Sequence, residues 1–390
     1  MRIAIYGGSF NPPHCGHVEA AAAVLDRLKP DKMLVIPASI PPHKELDIES
    51  PEPTERLLLT QLAFSDIEGA EVSDIEIMRE GKSYSADTLE QLMKLYPGAE
   101  FYFAMGTDML LSFEQWYRFR FLLENMTLAV FCRNEGEDAS IAEHAEYLER
   151  EYGAKCVLIP HEALPISSSD IRELLRRRMG ASYLPDKVYA RIIENRDYGA
   201  KPELYWLREK AHAMLKPNRI AHVVGCEAEA VQLARKWGED PENAAEAGIL
   251  HDITKKLVLS DQLILCRKYG IINDNAEEQN FKLLHAKTGA AVARAQFGVS
   301  DEVYNAIRWH TTGKPDMTLL DKIIYMADYI EPNRYFPGVE KLRELAYEDL
   351  DKAMALGLEM SLEDIRSYGQ EPYKDTVQAY EWYSRLVSGR

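Results

Sequence analysis

Tyr6–Leu25 reads YGGSFNPPHCGHVEAAAAVL. Three glycines, two prolines and two histidines stand between a short apolar run, Arg2–Tyr6, and an alanine-rich stretch, Val18–Leu28. The run predicts a buried strand and the stretch a helix, so the segment between them is a loop at a strand's carboxyl end. In an open α/β sheet that is where ligands bind. Gly7 and Gly8 let the backbone approach a ligand closely, and the following helix offers unpaired N–H groups and a positive dipole end to phosphate. Ser9 and Phe10 belong to the same loop, and His14 and His17 add donors beside it.

Outward from this loop, strand-like runs alternate with helix-like or loop segments. RIAIY, KMLVIPA, VSDIEI, AEFYFAMG, MTLAVFCR and KCVLIP read as strands, KMLVIPA being followed by a proline-rich loop; SADTLEQLMKLY and SSSDIRELLRRR read as helices. Short apolar runs joined by crossovers predict an α/β doubly wound parallel sheet, Rossmann-like and covered on both faces. From about Tyr198 the strand signal ends and helical periodicity takes over, as in Ile220, Val224, Val231 and Ala234. RDYGAKPEL, with Gly199 and Pro202, sits at the change, so the expectation is two domains, 1–197 and an all-α 198–390.

A chain of 390 residues has length for two cores. The net charge of −17 argues against nucleic acid or an anionic membrane as a general partner, while small anionic substrates stay compatible with local cations or metals. No apolar run reaches membrane-span length and the N-terminus lacks a signal-peptide pattern, which points to the cytoplasm. Cys15, Cys132, Cys156, Cys226 and Cys266 are odd in number and widely spaced, predicting reduced thiols rather than a disulfide framework. Nothing in the sequence fixes the oligomeric state, and a homo-oligomer is compatible with it.

Two motifs bear on the first half. His14-Cys15-Gly16-His17 is an H-x-G-H between a strand and a helix, and Ile166–Arg172 reads ISSSDIR, a serine-capped helix start with Asp170 in its first turn. Together they resemble the nucleotidyltransferase superfamily, in which His14, His17 and Arg172 would stabilise phosphoryl charge while Ile166, Ser167 and Ser168 would bind the triphosphate. PPHK at Pro41–Lys44, SYSADTL at Ser83–Leu89 and MGTDML with Trp116 downstream resemble the nicotinate-nucleotide adenylyltransferase family. That resemblance covers about residues 1–196. It implies Lys44, Gly106 and Asp108 as ATP contacts and Tyr84, Thr88 and Trp116 as nicotinate contacts. A helix start there favours a carboxylate over a neutral carboxamide. The implied reaction is attack by the phosphate of nicotinate mononucleotide on the α-phosphorus of ATP, with Mg²⁺ on the triphosphate and no covalent protein nucleophile. Another acceptor, nicotinamide mononucleotide or phosphopantetheine, is the alternative.

In the second half His222, His251-Asp252, His285, His310 and Asp328 fall in or beside separate helices. Mixed imidazole and carboxylate donors that converge in a bundle suit one or two first-row cations such as iron, manganese or zinc. RIAHVVG, AGILHDITKK, LLHAKTGA, AIRWHTTG and DKIIYMADYIEPNR resemble the HD-domain symmetrical bis(5′-nucleosyl)-tetraphosphatases from about Tyr205 to Trp382. The resemblance implies that His222, His251, Asp252 and Asp328 hold one metal and that His285 and His310 complete a second site, with Lys255, Thr311 and Arg334 facing phosphates. It implies metal-assisted hydrolysis of diadenosine tetraphosphate to two ADP. Hydrolysis of a different nucleotide, or a noncatalytic regulatory metal-binding module, are the alternatives.

Overall fold

The computed structural model describes residues 1–42, 45–132, 139–162, 164–271 and 281–389. They form two compact units, Met1–Lys201 and Pro202–Arg390. Tyr198 is buried, and the Lys201 amide donates to the Leu175 carbonyl at 3.0 Å, which ties Tyr198–Lys201 to the first unit; the division therefore falls after Lys201, four residues beyond the 197/198 boundary expected from the sequence.

The first unit is built on six parallel strands: β1 (Arg2–Gly8), β2 (Lys32–Pro37), β3 (Ala70–Val72), β4 (Glu100–Met105), β5 (Met126–Cys132) and β6 (Lys155–Pro160). Their order is β3-β2-β1-β4-β5-β6, the doubly wound arrangement. Ile3–Ile5 of β1 and Met33–Ile36 of β2 are buried without alternation, as strands covered on both faces should be. Ile5 pairs with Leu34 on one side and Phe103 on the other, so β1 is central and its carboxyl end lies at the switch in strand order.

Three local readings change. Helix α1 (Cys15–Leu28) begins three residues before the alanine-rich run, which makes His14 its N-cap and puts His17 in its first turn. A helix, α2 (Pro53–Phe64), occupies part of the stretch read as a proline-rich loop, with Pro53 at its start where a missing N–H costs nothing. VSDIEI is not a strand: only Val72 lies in β3, and the Met78 amide donates to the Asp74 carbonyl at 2.9 Å, closing a turn instead. Its alternation serves another purpose, because Glu76 points inward to a hydroxyl on α3 (Ser85–Leu95).

Among its described residues the second unit has no strand. Pro217–Trp237, Pro241–Leu250, Phe281–Phe297, Asp301–Trp309 and Leu319–Ile330 are helices that share one core, with Leu250, Ala290, Ile307, Ile323 and Met326 inside it. The first two helices cross tightly: a Cβ at Gly248 would lie 2.8 Å from the Glu227 Cα. That approach sets His251 beside His222. No described helix in either unit is long and apolar enough to cross a membrane.

Candidate functional sites

In the first unit a cavity of about 1060 Å³ opens at the carboxyl ends of the central strands. Gly7, Gly8, Ser9, His14 and His17 line it on one side, Gly106, Asp108 and Ile166 elsewhere, and Tyr84, Thr88 and Trp116 at the start of α3 and beyond. The sequence thus placed these eleven residues in one site. Phe10, Ser167, Ser168 and Arg172 do not line the cavity. Lys44 lies outside the described residues.

Phe10 is a support rather than a contact: it is buried, and its ring would sit 3.1 Å from a Cβ at Gly8. A side chain at Gly8 would press on that ring and displace it by a few tenths of an ångström. Arg172 is also turned from the cavity, because its Nη1 donates to the Asn11 carbonyl at 2.8 Å. Ser168 Oγ donates to the Pro12 carbonyl at 3.1 Å, while Ser167 caps its helix by accepting from the Asp170 amide. The serine-arginine motif thus grips the back of the Gly-rich loop. Arg56 of α2, which sequence reasoning missed, holds the same loop: its guanidinium donates to the carbonyls of Ser9, Ala38 and Ser39 at 2.7–2.9 Å.

His14 and His17 stack with ring centroids 3.8 Å apart, and the His14 amide donates to His17 Nδ1 at 3.1 Å. Gly16 gives the His14 ring its place, since a Cβ there would lie 3.2 Å from it. Burial pushes His14 down to about 4, so it is neutral near pH 7 and acts as a hydrogen-bonding group. An unfolded His14 takes up its proton below about 6.5, whereas the folded one resists to about 4. The unfolded state therefore binds more protons in that window, and the first unit should lose stability as pH falls from 6.5 to 4, by up to about 3 kcal/mol. Trp116 is the only tryptophan before Lys201 and reports this unit. Urea unfolding followed by its fluorescence should show a shallower pH slope for His14→Gln, and an unchanged slope would rule out the assignment.

At the other end of the cavity Tyr84 and Tyr117 pack at 4.8 Å between centroids, and Trp116 packs on Phe113 at 5.0 Å. The Thr88 hydroxyl is already committed: it donates to Glu76 Oε1 at 2.6 Å and accepts from Arg79 Nη2 at 3.0 Å. Glu76 is buried beside the cavity, and burial raises its carboxyl. What the start of α3 offers a ligand is thus backbone N–H and aromatic surface rather than the Thr88 hydroxyl. Burial pushes the thiol of half-buried Cys15 up, away from the nucleophilic thiolate.

In the second unit all six predicted ligands converge. His222 Nε2 lies 3.0 Å from Asp328 Oδ1 and 3.2 Å from His251 Nε2. His285 Nε2 lies 3.1 Å from His310 Nε2. Asp252 stands between the two pairs: Oδ2 is 3.5 Å from His251 Nε2, and Oδ1 is 3.2 Å from His285 Nε2 and 3.7 Å from His310 Nε2. His251 Nδ1 pairs with the Gly248 carbonyl at 2.8 Å and His310 Nδ1 with that of Ile307 at 2.7 Å, which turns both Nε2 atoms inward.

This donor set fits divalent cations. His222, His251 and Asp328, and His251, Asp252 and His310, each bring three ligand atoms within 4.8 Å of one another. Asp252 Oδ1 is buried with no hydrogen-bond partner, although three cationic or imidazole nitrogens surround it. Burial opposes charge on His251, yet Cys226 and Asp252 hold it well above ordinary histidine. Burial likewise opposes charge on Asp252, yet His251 and Lys255 hold it well below the carboxylate range. His285 goes the other way, down to about 4 through burial and Lys255, and so keeps a lone pair. Lys255 Nζ is 3.1 Å from His285 Nε2, Thr311 Oγ1 is 3.1 Å from His310 Nε2, and Arg334 donates to Asp328 Oδ1 at 2.6 Å. Arg219, missed in the sequence, pairs with Asp252 from one turn before His222. That i, i+3 spacing to the first histidine was the available signal.

A doubly wound sheet with a loop-and-helix cavity, and a helical bundle with four imidazoles around a shared carboxylate, define a nucleotide-transferring unit and an HD-type unit in one enzyme. Residues 5–174 match the cytidylyltransferase-like family and residues 219–333 the HD domain, a class that binds divalent metals. Over 198 residues the chain is 36% identical to the "Probable nicotinate-nucleotide adenylyltransferase" of Carboxydothermus hydrogenoformans, covering 50% of this chain and 98% of that protein. Over 189 residues it is 39% identical to the "Bis(5'-nucleosyl)-tetraphosphatase, symmetrical" of Bacillus subtilis, covering 47% of this chain and 98% of that protein. The "Probable nicotinate-nucleotide adenylyltransferase/Ap4A hydrolase" of Mycoplasma genitalium aligns across both units, at 29% identity over 92% of this chain and 97% of its own length. The chain belongs to the nicotinate-nucleotide adenylyltransferase family through its first unit and to the symmetrical bis(5′-nucleosyl)-tetraphosphatase family through its second.

Proposed function

We propose that the first unit transfers AMP from ATP to nicotinate mononucleotide, forming deamido-NAD and pyrophosphate, and that the second hydrolyses diadenosine tetraphosphate to two ADP. The activities for which the relatives are named support both halves. For the first, the carrying observation is that a histidine loop and an aromatic helix start line one cavity. The acceptor phosphate would attack the α-phosphorus while the bond to pyrophosphate breaks, so catalysis rests on holding two anions in line. His14, in its neutral form, and His17 donate hydrogen bonds to phosphoryl oxygens, the Gly7–Gly8 backbone lies against the triphosphate, and Gly106 and Asp108 hold the adenosine. Tyr84 and Trp116 pack on the nicotinate ring and the N–H groups at the start of α3 take its carboxylate. Arg172, Ser168 and Arg56 act by fixing the loop. Mg²⁺ bound with ATP would supply further charge neutralisation.

For the second, the carrying observation is Asp252, with one oxygen toward each histidine pair. His222, His251, Asp252 and Asp328 would hold one cation, and Asp252, His285 and His310 a second, iron in our assignment with manganese or zinc as the other fits. Such cations supply charge neutralisation on phosphate and activation of water. Lys255, Thr311, Arg219 and Arg334 bind and orient the polyphosphate around them.

The full chain with Fe²⁺ or Mn²⁺ and diadenosine tetraphosphate should give ADP as the only chromatographic product. AMP plus ATP, or no turnover by metal-loaded protein, would reject the hydrolytic assignment. Offered ATP with equal nicotinate and nicotinamide mononucleotides, the same protein should make chiefly deamido-NAD, and a preference for the amide would reject the acceptor.

A further inference from the structure

We propose that Glu331 is a positioning residue that fixes His222 as a metal ligand, an inference that rests on the reading of the histidine cluster as a divalent cation site. Glu331 is almost wholly buried, three residues beyond Asp328 and outside the predicted ligand set. Its Oε1 lies 3.0 Å from His222 Nδ1, on the ring edge opposite the atom that faces Asp328 and His251. Its Oε2 accepts from the Asn333 backbone amide at 2.8 Å and from Asn333 Nδ2 at 2.9 Å, and that side chain also donates to the Ala221 carbonyl at 3.2 Å. Both carboxylate oxygens are thus committed, one to the imidazole and one to a clamp that reaches back to the histidine's own helix.

The helix is shaped for this contact. A Cβ at Gly225 would lie 2.3 Å from Glu331 Oε2 and 3.1 Å from Asn333 Nδ2, so only glycine lets the carboxylate come this close. With Oε1 accepting, His222 carries its proton on Nδ1 and presents the Nε2 lone pair inward. A carboxylate behind a metal-binding imidazole fixes its tautomer and its orientation.

Glu331→Gln keeps the shape and removes this function. A glutamine has one acceptor and one donor end, and two Asn333 donors claim the acceptor. Its NH₂ then faces His222 Nδ1, the ring proton moves to Nε2, and the inward lone pair is lost. By titration calorimetry of the full chain with Mn²⁺, the variant should bind about 10- to 100-fold more weakly than wild type. Its melting temperature without metal should stay near wild type while the rise on adding Mn²⁺ shrinks. Equal Mn²⁺ affinity in a folded variant would overturn the proposal alone, whereas no Mn²⁺ uptake by wild type would overturn the metal reading and the proposal with it. A measurement independent of the variant's folding is the tautomer in metal-free wild type labelled with ¹⁵N-histidine, with His222 assigned by comparison with His222→Gln. Nδ1–H is expected, and Nε2–H would overturn the assignment.

Discussion

Asp252→Asn is expected to cut polyphosphate hydrolysis by about 10²- to 10⁴-fold, because breaking a buried charge set costs about 3–5 kcal/mol and each 1.36 kcal/mol is tenfold in rate. Asp252 is fully buried and stands between the two histidine pairs, with Oδ1 toward His285 and His310 and Oδ2 toward His222 and His251. An asparagine would keep an acceptor toward one pair and turn an NH₂ donor toward the other. One pair of imidazoles would then face an amide donor instead of a carboxylate oxygen, and Arg219 and Lys255 would lose their counter-charge. Metal content by mass spectrometry and ADP release by chromatography are the readouts, with adenylyl transfer as the control for an intact chain. Undiminished hydrolysis by folded Asp252→Asn would remove Asp252 from the site.

The second large effect belongs to Arg56→Met, which should destabilise the first unit by about 3–5 kcal/mol. Arg56 is fully buried, and its guanidinium joins the Ser9 carbonyl, after β1, to the Ala38 and Ser39 carbonyls, after β2. Methionine fills much of the volume but takes the donors from three partly buried carbonyls, and an unmet buried acceptor costs about 1–3 kcal/mol. Because the Ser9 loop lines the cavity, adenylyl transfer should fall as well. Lysine cannot substitute fully, since one ammonium lacks the planar fork that reaches both strand ends. Trp116 fluorescence against urea gives the stability, and a wild-type midpoint for Arg56→Met would show that the loop holds without it.

These two residues differ in how visible they are in sequence. Asp252 follows His251 in a motif and announces itself. Arg56 sits in PTERLLLTQLAF, where one arginine among helical polar residues reads as a solvated charge. Its burial depends on two loops arriving from different strands, which no local pattern encodes. Glu331 is similar: its partner His222 is 109 residues away, and only the close approach at Gly225 reveals the pairing. The ISSSDIR motif was located correctly as a helix start, but its arginine and one serine turned out to grip the carbonyls of Asn11 and Pro12. Likewise Thr88 reached the cavity, yet Glu76, hidden in a run mistaken for a strand, had taken its hydroxyl.

By itself the sequence determined the fold class and the family of each half. Strand-helix alternation and helical periodicity depend on neighbours a few residues apart, and H-x-G-H and the HD pattern are written in residue types. Only the tertiary structure decided which polar groups face a ligand and which are bound to other parts of the chain. A hydrogen bond saturates its partner, and whether Arg172, Thr88 or Asp252 is already saturated depends on elements brought together across the chain by helix crossings and strand order.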